Sequence, residues 1–203
     1  MRILVATSNS DKLREFREIL RDTPHEVIGL DALGREIEEP VEDGETFEAN
    51  ARIKALAYAR AAGLPCVAED SGLEVDALGG APGVYSARYA GVDGDRKTRD
   101  LRNNEKLLAA MEGVPDGERA ARFVCALCYA SPEGEILFET RGTFEGVIAR
   151  APAGENGFGY DPLLFVPELG KTSAELTSEE KHARSHRGEA VRAFARHLSE
   201  VSR

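Results

Sequence analysis

The sequence has no excess of basic residues. Its 26 Lys and Arg stand against 36 Asp and Glu, a formal net charge of −10 at pH 7. A chain of that sign repels duplex DNA and anionic membrane surfaces unless its cations cluster, and no cluster of that size is present. Nor is there an apolar run approaching the ~18 residues of a membrane span. Met1-Arg2 is followed by only a few apolar or small residues before polar Ser8 and Asn9, far short of a signal-peptide core. Neither nucleic acid nor membrane is expected as a partner. Cysteine is scarce and odd in number: Cys66, Cys125 and Cys128. That fits a reducing compartment, so the expected location is cytoplasmic. Cys125 and Cys128 have CxxC spacing, but they lie in a strand-like run, where a three-residue offset turns the thiols to opposite faces. Two small buried residues are expected there, not a redox or zinc pair. Repeats, low-complexity tracts and clear linkers are absent as well.

What is present is an ordinary globular composition: 203 residues, 42% hydrophobic and 31% charged. That length suits one domain, 1–203, with a real core and room for two lobes. The first third reads as β-helix-β. Residues 2–7 form a buried strand, Ser10 is a plausible cap for a helix burying Leu13, Phe16 and Leu20, and residues 25–30 form a second strand. A strand, a short polar loop and a helix N-terminus make an anion site from free N–H groups and the helix dipole. Thr7, Asn9 and Lys12 add a hydroxyl, an amide and an ammonium, and Ser8, Ser10 and Asp11 offer main-chain donors. After a loop rich in acids, a helix from Glu45 to about Ala62 stops at Gly63-Leu64-Pro65 and carries Asn50 and Lys54, four apart and so on one face.

The centre of the chain, VAEDSGLEVDALGGAPGVYSARYAG at 67–91, delivers adjacent carboxylates, Glu69 and Asp70, from a short apolar strand; a second short strand (Leu73, Val75) follows. Two neighbouring acids at a buried strand end call for positive compensation, and a hard cation on oxygen ligands would supply it. A helix over 95–111 should bury Leu101, Leu107, Leu108 and Met111. Strands near 119–130, 135–141 and 143–150, punctuated at Pro132-Glu133-Gly134 and Gly142, read as an antiparallel meander. The fold class expected is α/β, a mixed central sheet flanked by helices.

Towards the end, Phe158, Tyr160 and Asp161 crowd among glycines, an aromatic surface beside a carboxylate, which reads equally as a base-reading pair or as a hydrophobic plug with a solvated acid. Gly170-Lys171-Thr172 ends like a P-loop, but Phe165 stands where the first glycine is required. Thr177-Ser178-Glu179-Glu180 is a capping box opening a helix that carries Lys181, His182, His186 and Arg187. His182 and His186 are four apart without the glutamate of HExxH, so no zinc site is expected. A last helix (Val191, Phe194, Leu198) closes the domain.

Five stretches in order (ATSNSDKLREF, ETFEANARIKA, AEDSGLEVDALGGAPGVYSARYAG, GENGFGYDPLLF and ELTSEEKHARSHRGEA) resemble the inosine triphosphate pyrophosphatase family over nearly the whole chain. The departures are Ser10-Asp11 before Lys12, where a glycine is frequent, and Glu69 where many members carry aspartate. The resemblance implies two lobes around a deep nucleotide cleft, a homodimer, and Mg²⁺-dependent cleavage of ITP, dITP or XTP to monophosphate and pyrophosphate. It implies that Thr7, Ser8, Asn9, Ser10, Asp11, Lys12 and Lys54 meet the triphosphate and Ser71 the substrate. Glu42 and Asp70 would bind the metal, with Asp70 also the general base. Phe158, Gly159, Tyr160, Asp161, Lys181, His186 and Arg187 would build the base pocket. Arg187 or Lys181 donating to O6 and Asp161 accepting from N1–H would reject adenine, which reverses both groups. The alternatives are a pyrophosphatase of similar fold acting on other modified nucleotides, and a nucleotide-binding module without activity.

Overall fold

The computed structural model describes residues 1–201, the side chains of Asp11, Ser178 and His182 excepted. Seven strands form one sheet in the order β2-β1-β3-β4-β5-β6-β7. They are β1 (Arg2–Val5), β2 (Glu26–Gly29), β3 (Cys66–Val75), β4 (Ala120–Ala130), β5 (Ile136–Ile148), β6 (Leu164–Val166) and β7 (Lys171–Thr172). The helices are α1 (Ser10–Leu20), α2 (Phe47–Ala62), α3 (Arg96–Ala110), α4 (Ser178–Arg184) and α5 (His186–Val201). β1 runs parallel to both β2 and β3, whereas β6 is antiparallel to β5 and β7, so the sheet is mixed as expected. None of the described helices is long and apolar enough to cross a membrane.

The chain divides into two compact units. One comprises Met1–Asp70, Cys125–Gly142 and the chain from His186 onward. Its core joins Ile3 and Val5 of β1, Phe16 and Leu20 of α1, Val67 of β3, Leu127 of β4, and Val191, Phe194 and Leu198 of α5. The other comprises Ser71–Val124 and Thr143–Ser185, with its core on Leu73, Val75, Leu107, Phe123, Phe144, Ile148 and Leu164. In that second unit Arg119 is buried and, among the described residues, makes no ion pair: its guanidinium donates to the carbonyls of Ile148, Met111, Val114 and Ala149. It therefore ties the end of α3 to the end of β5 through hydrogen bonds alone.

Several expectations are corrected. The Glu69-Asp70-Ser71-Gly72 stretch does not separate two short strands; β3 runs unbroken through it. Gly142 is not a turn either, because β5 continues across it. A Cβ at Gly142 would lie 2.1 Å from the His186 carbonyl oxygen, so glycine is there to admit the backbone of α5. The meander is two long strands, not three. Asn9, not Ser10, caps α1, its Oδ1 accepting from the Lys12 N–H at 3.2 Å. Leu101 is 56% exposed, and the buried side of α3 carries Asn103 and Leu107. His182 and His186 fall on separate helices, since α4 ends before Ser185. The capping box itself forms, Thr177 accepting from Glu180 N and Glu180 from Thr177 N. All three cysteines are buried and free.

Candidate active site

Neighbouring residues on a strand face opposite sides, and this splits the two acids of β3. Glu69 meets two protein cations: Lys12 Nζ at 2.8 Å and Arg187 Nε at 2.7 Å. Arg187 is further held by Glu15 at 3.6 Å, and the Cys125 thiol donates to Glu69 at 3.3 Å. Burial alone would push the Glu69 carboxyl up; the Arg187 guanidinium and Lys12 ammonium outweigh it and hold the group well below the usual range. The compensation expected from a metal is supplied on this side by side chains of α1 and α5.

Asp70 turns to α2. Asn50 Nδ2 donates to it at 3.1 Å and Lys54 Nζ lies at 3.5 Å, so the pair four apart on one face acts together. Lys54 also meets Glu42 Oε2 at 2.6 Å. The acidic loop is fixed to the helix by the Gly44 N–H, which donates to Asn50 Oδ1 at 2.8 Å. A Cβ at Gly44 would stand 2.7 Å from that same oxygen. Asp70 has its carboxyl raised, first by burial and then by the Glu42 charge, with Lys54 and Asn50 opposing. A raised carboxyl is the right kind of general base.

Glu42 and Asp70 thus converge on one ammonium, a position that already holds positive charge between two oxygen donors. A pair of carboxylates suits Mg²⁺, which dehydrates reluctantly and keeps several of its waters. The described residues contain no group of three or more His, Cys, Asp or Glu placed to hold a metal, so the donor set is not that of a closed zinc site.

The loop after β1 is built by its own side chains. The Asn9 N–H donates to Thr7 Oγ1 at 3.1 Å, and the Asn9 amide then caps α1. Ser8 and Ser10 are exposed, and Lys12 rises from the first turn to Glu69. The structure brings Thr7, Asn9, Lys12, Glu42, Lys54, Asp70 and Arg187 into the first unit, with His186 heading α5. The Asp11 side chain lies outside the described residues. Ser71 follows Asp70 in β3 and is partly buried.

Phe158, Gly159, Tyr160, Asp161 and Lys181 belong to the second unit. Asp161 is 2% exposed and accepts from Ser173 Oγ at 2.7 Å, from the Phe158 N–H at 2.8 Å and from Lys181. A carboxylate has about four lone-pair positions, so one remains for a further donor. Gly157 is required beside it: a Cβ there would lie 2.0 Å from Asp161 Oδ2 and 2.9 Å from Lys181 Nζ. Tyr160 is part of the core, and its hydroxyl donates to the Ser86 carbonyl at 2.8 Å. Phe158 is 47% exposed, with the Arg96 guanidinium 4.0 Å from its ring centre.

Sequence reading missed Gly44 and Gly157, whose signal was only a glycine among polar neighbours. It placed Asn50 beside Lys54 without giving it a role. Asp100 and Asn104, which grip Gly159, gave no signal, because the contacts join segments 59 and 55 residues apart.

The Ham1 family matches over residues 3–197. The chain is 51% identical over 194 residues to a dITP/XTP pyrophosphatase of Yersinia pseudotuberculosis, covering 94% of each. It superposes on a HAM1 protein from Coxiella burnetii with a TM-score of 0.89 at 42% identity, covering 98% of this chain and 99% of that one. The Ham1 protein of Staphylococcus aureus gives a TM-score of 0.88 at 41% identity, with 99% and 100% covered.

Proposed function

The chain belongs to the Ham1 family, and from that premise we propose that it hydrolyses non-standard purine nucleoside triphosphates (ITP, dITP and XTP) to the monophosphate and pyrophosphate. This removes them from the nucleotide pool and keeps their bases out of DNA and RNA. The relatives carrying the name dITP/XTP pyrophosphatase support the substrate class. The observation that carries the chemistry is Asp70: a raised, part-buried carboxylate aimed by Asn50 and Lys54 beside Glu42.

Thr7, Ser8, Asn9, Ser10, Asp11, Lys12 and Lys54 bind the triphosphate, whose roughly four negative charges a −10 protein meets only through focused cations and a metal. Ser71 contacts the substrate next to Asp70. Glu42 and Asp70 would hold Mg²⁺, which when bound would supply positive charge to the attacked phosphoryl group and acidify a water. Asp70 takes the proton of the attacking water, and Lys54 keeps its carboxylate oriented while it does so. Phe158 stacks on the base, Asp161 offers its remaining lone pair to N1–H, and Lys181 donates to O6. His186 and Arg187 also serve base recognition, and Gly159 and Tyr160 set the loop. Adenine, which has no N1–H and presents an amino group at position 6, leaves buried groups unpaired there. The two units are the lobes of one pyrophosphatase domain, 1–203, acting in the cytoplasm as a homodimer.

The test is Asp70→Asn. Turnover of ITP with Mg²⁺ should fall by about 10²–10⁴, while calorimetric binding of ITP persists. A variant as active as the parent overturns Asp70 as the base. Orthophosphate in place of pyrophosphate overturns the reaction.

A further inference from the structure

The base-reading loop is not held by its own turn alone. The Gly159 N–H donates to Asp100 Oδ2 at 2.9 Å, and the Gly159 carbonyl accepts from Asn104 Nδ2 at 3.0 Å. Asp100 and Asn104 are four apart on α3, so one face of one helix grips both polar groups of a single residue. One turn earlier, Arg96 lays its guanidinium over Phe158 and lies 3.9 Å from Asp100. Gly159 has φ +61°, in the region that favours glycine, and it separates Phe158 from Asp161. The orientation of its backbone therefore sets both the plane of the ring and the aim of the carboxylate.

Asn104 Oδ1 is buried and has no hydrogen-bond partner among the described residues. An amide left half satisfied in this way is costly, so the side chain is not there for its own sake. Its satisfied half points at Gly159.

We propose that Asp100 and Asn104 are positioning residues for base selection: by clamping the Gly159 backbone they fix Phe158 and Asp161, and Arg96 holds the ring at its angle. The proposal rests on the base-pocket reading given above. Neither residue is among those assigned to the triphosphate or the metal, so the clamp acts on substrate choice and affinity and leaves the chemical step alone. A displacement of about 1 Å in a positioned group is enough to matter at the hundredfold level.

The experiment measures kcat and KM for ITP and ATP on the intact chain and on Asp100→Ala, Asp100→Asn, Asn104→Ala and Asn104→Asp, with melting temperatures alongside. Asp100→Ala and Asn104→Ala should raise KM for ITP about tenfold and narrow the ITP-to-ATP preference, with kcat within about twofold. Asp100→Asn keeps an acceptor oxygen and should restore the parent values. Asn104→Asp has nearly the same shape but turns an acceptor toward the Gly159 carbonyl, and should be worse than Asn104→Ala. Parent KM and preference in all four variants overturn the proposal. So does a loss of kcat and KM that only follows melting temperature, with Asp100→Asn no better than Asp100→Ala. If the parent itself does not prefer ITP, the functional reading fails and this inference with it; a selective parent with indifferent variants sinks only the inference.

Discussion

Glu69 and Asp70 are sequence neighbours with opposite electrostatic fates. Glu69 is locked by Lys12 and Arg187 and keeps its negative charge, whereas Asp70 is raised by burial and by Glu42. The first acid arranges cations; the second is left able to take a proton. Glu69→Gln should therefore leave the buried Arg187 and the part-buried Lys12 short of a partner, a loss of about 3–5 kcal/mol read by chemical denaturation. Its Mg²⁺ affinity, measured by calorimetry on the folded fraction, should stay that of the parent. A large loss of metal affinity with unchanged stability would make Glu69 a ligand instead. Asp161→Asn should admit adenine, since an amide can both donate and accept; the ITP-to-ATP preference should drop by at least about tenfold, read by competition between the two nucleotides.

At the scale of elements, residue types were legible and partners often were not. The capping box of α4 and the apolar stripe of α5 follow local rules and formed as read, and the chain opens strand then helix as expected, though β1 ends at Val5 and Asn9 takes the cap. Gly142 misled because glycine marks both turns and close approaches, and sequence alone does not tell which. Here α5 presses on β5, and Gly142→Ala should cost about 1–3 kcal/mol, measured as a shift in the denaturation midpoint. An unchanged midpoint would mean that the two elements are not in contact at that point. The break at Ser185 was likewise invisible inside a helical pattern. The cysteine reading, by contrast, needed only strand alternation and composition. Burial pushes the Cys128 thiol up to about 12 and raises those of Cys66 and Cys125 as well. At pH 8 only about one Cys128 in ten thousand is thiolate, so iodoacetamide should label none of the three until denaturant is added. Because the shift is upward, reactivity should rise, not fall, as pH increases. Rapid labelling of the native chain at pH 8 would contradict this.

For the whole molecule, one unit carries Thr7, Lys12, Glu42, Lys54 and Asp70, and the other carries Phe158, Asp161 and Lys181. Under the proposed function both are needed: the first supplies the reacting groups, the second the means to tell one purine from another. Composition and five ordered motifs made the family readable, while the tertiary ties that aim the motifs (Asn50 on Asp70, Lys12 and Arg187 on Glu69, α3 on Gly159) exist only once the chain is folded. The account stands or falls on whether selectivity and metal-dependent cleavage occur together. The direct measurement is kcat/KM for dITP and XTP against dATP and dGTP, with and without Mg²⁺, with the released anion identified. Pyrophosphate formed from dITP and XTP, far faster than from dATP and dGTP and only with the metal, is the predicted result. Equal rates on dATP, or cleavage without a divalent cation, would contradict it.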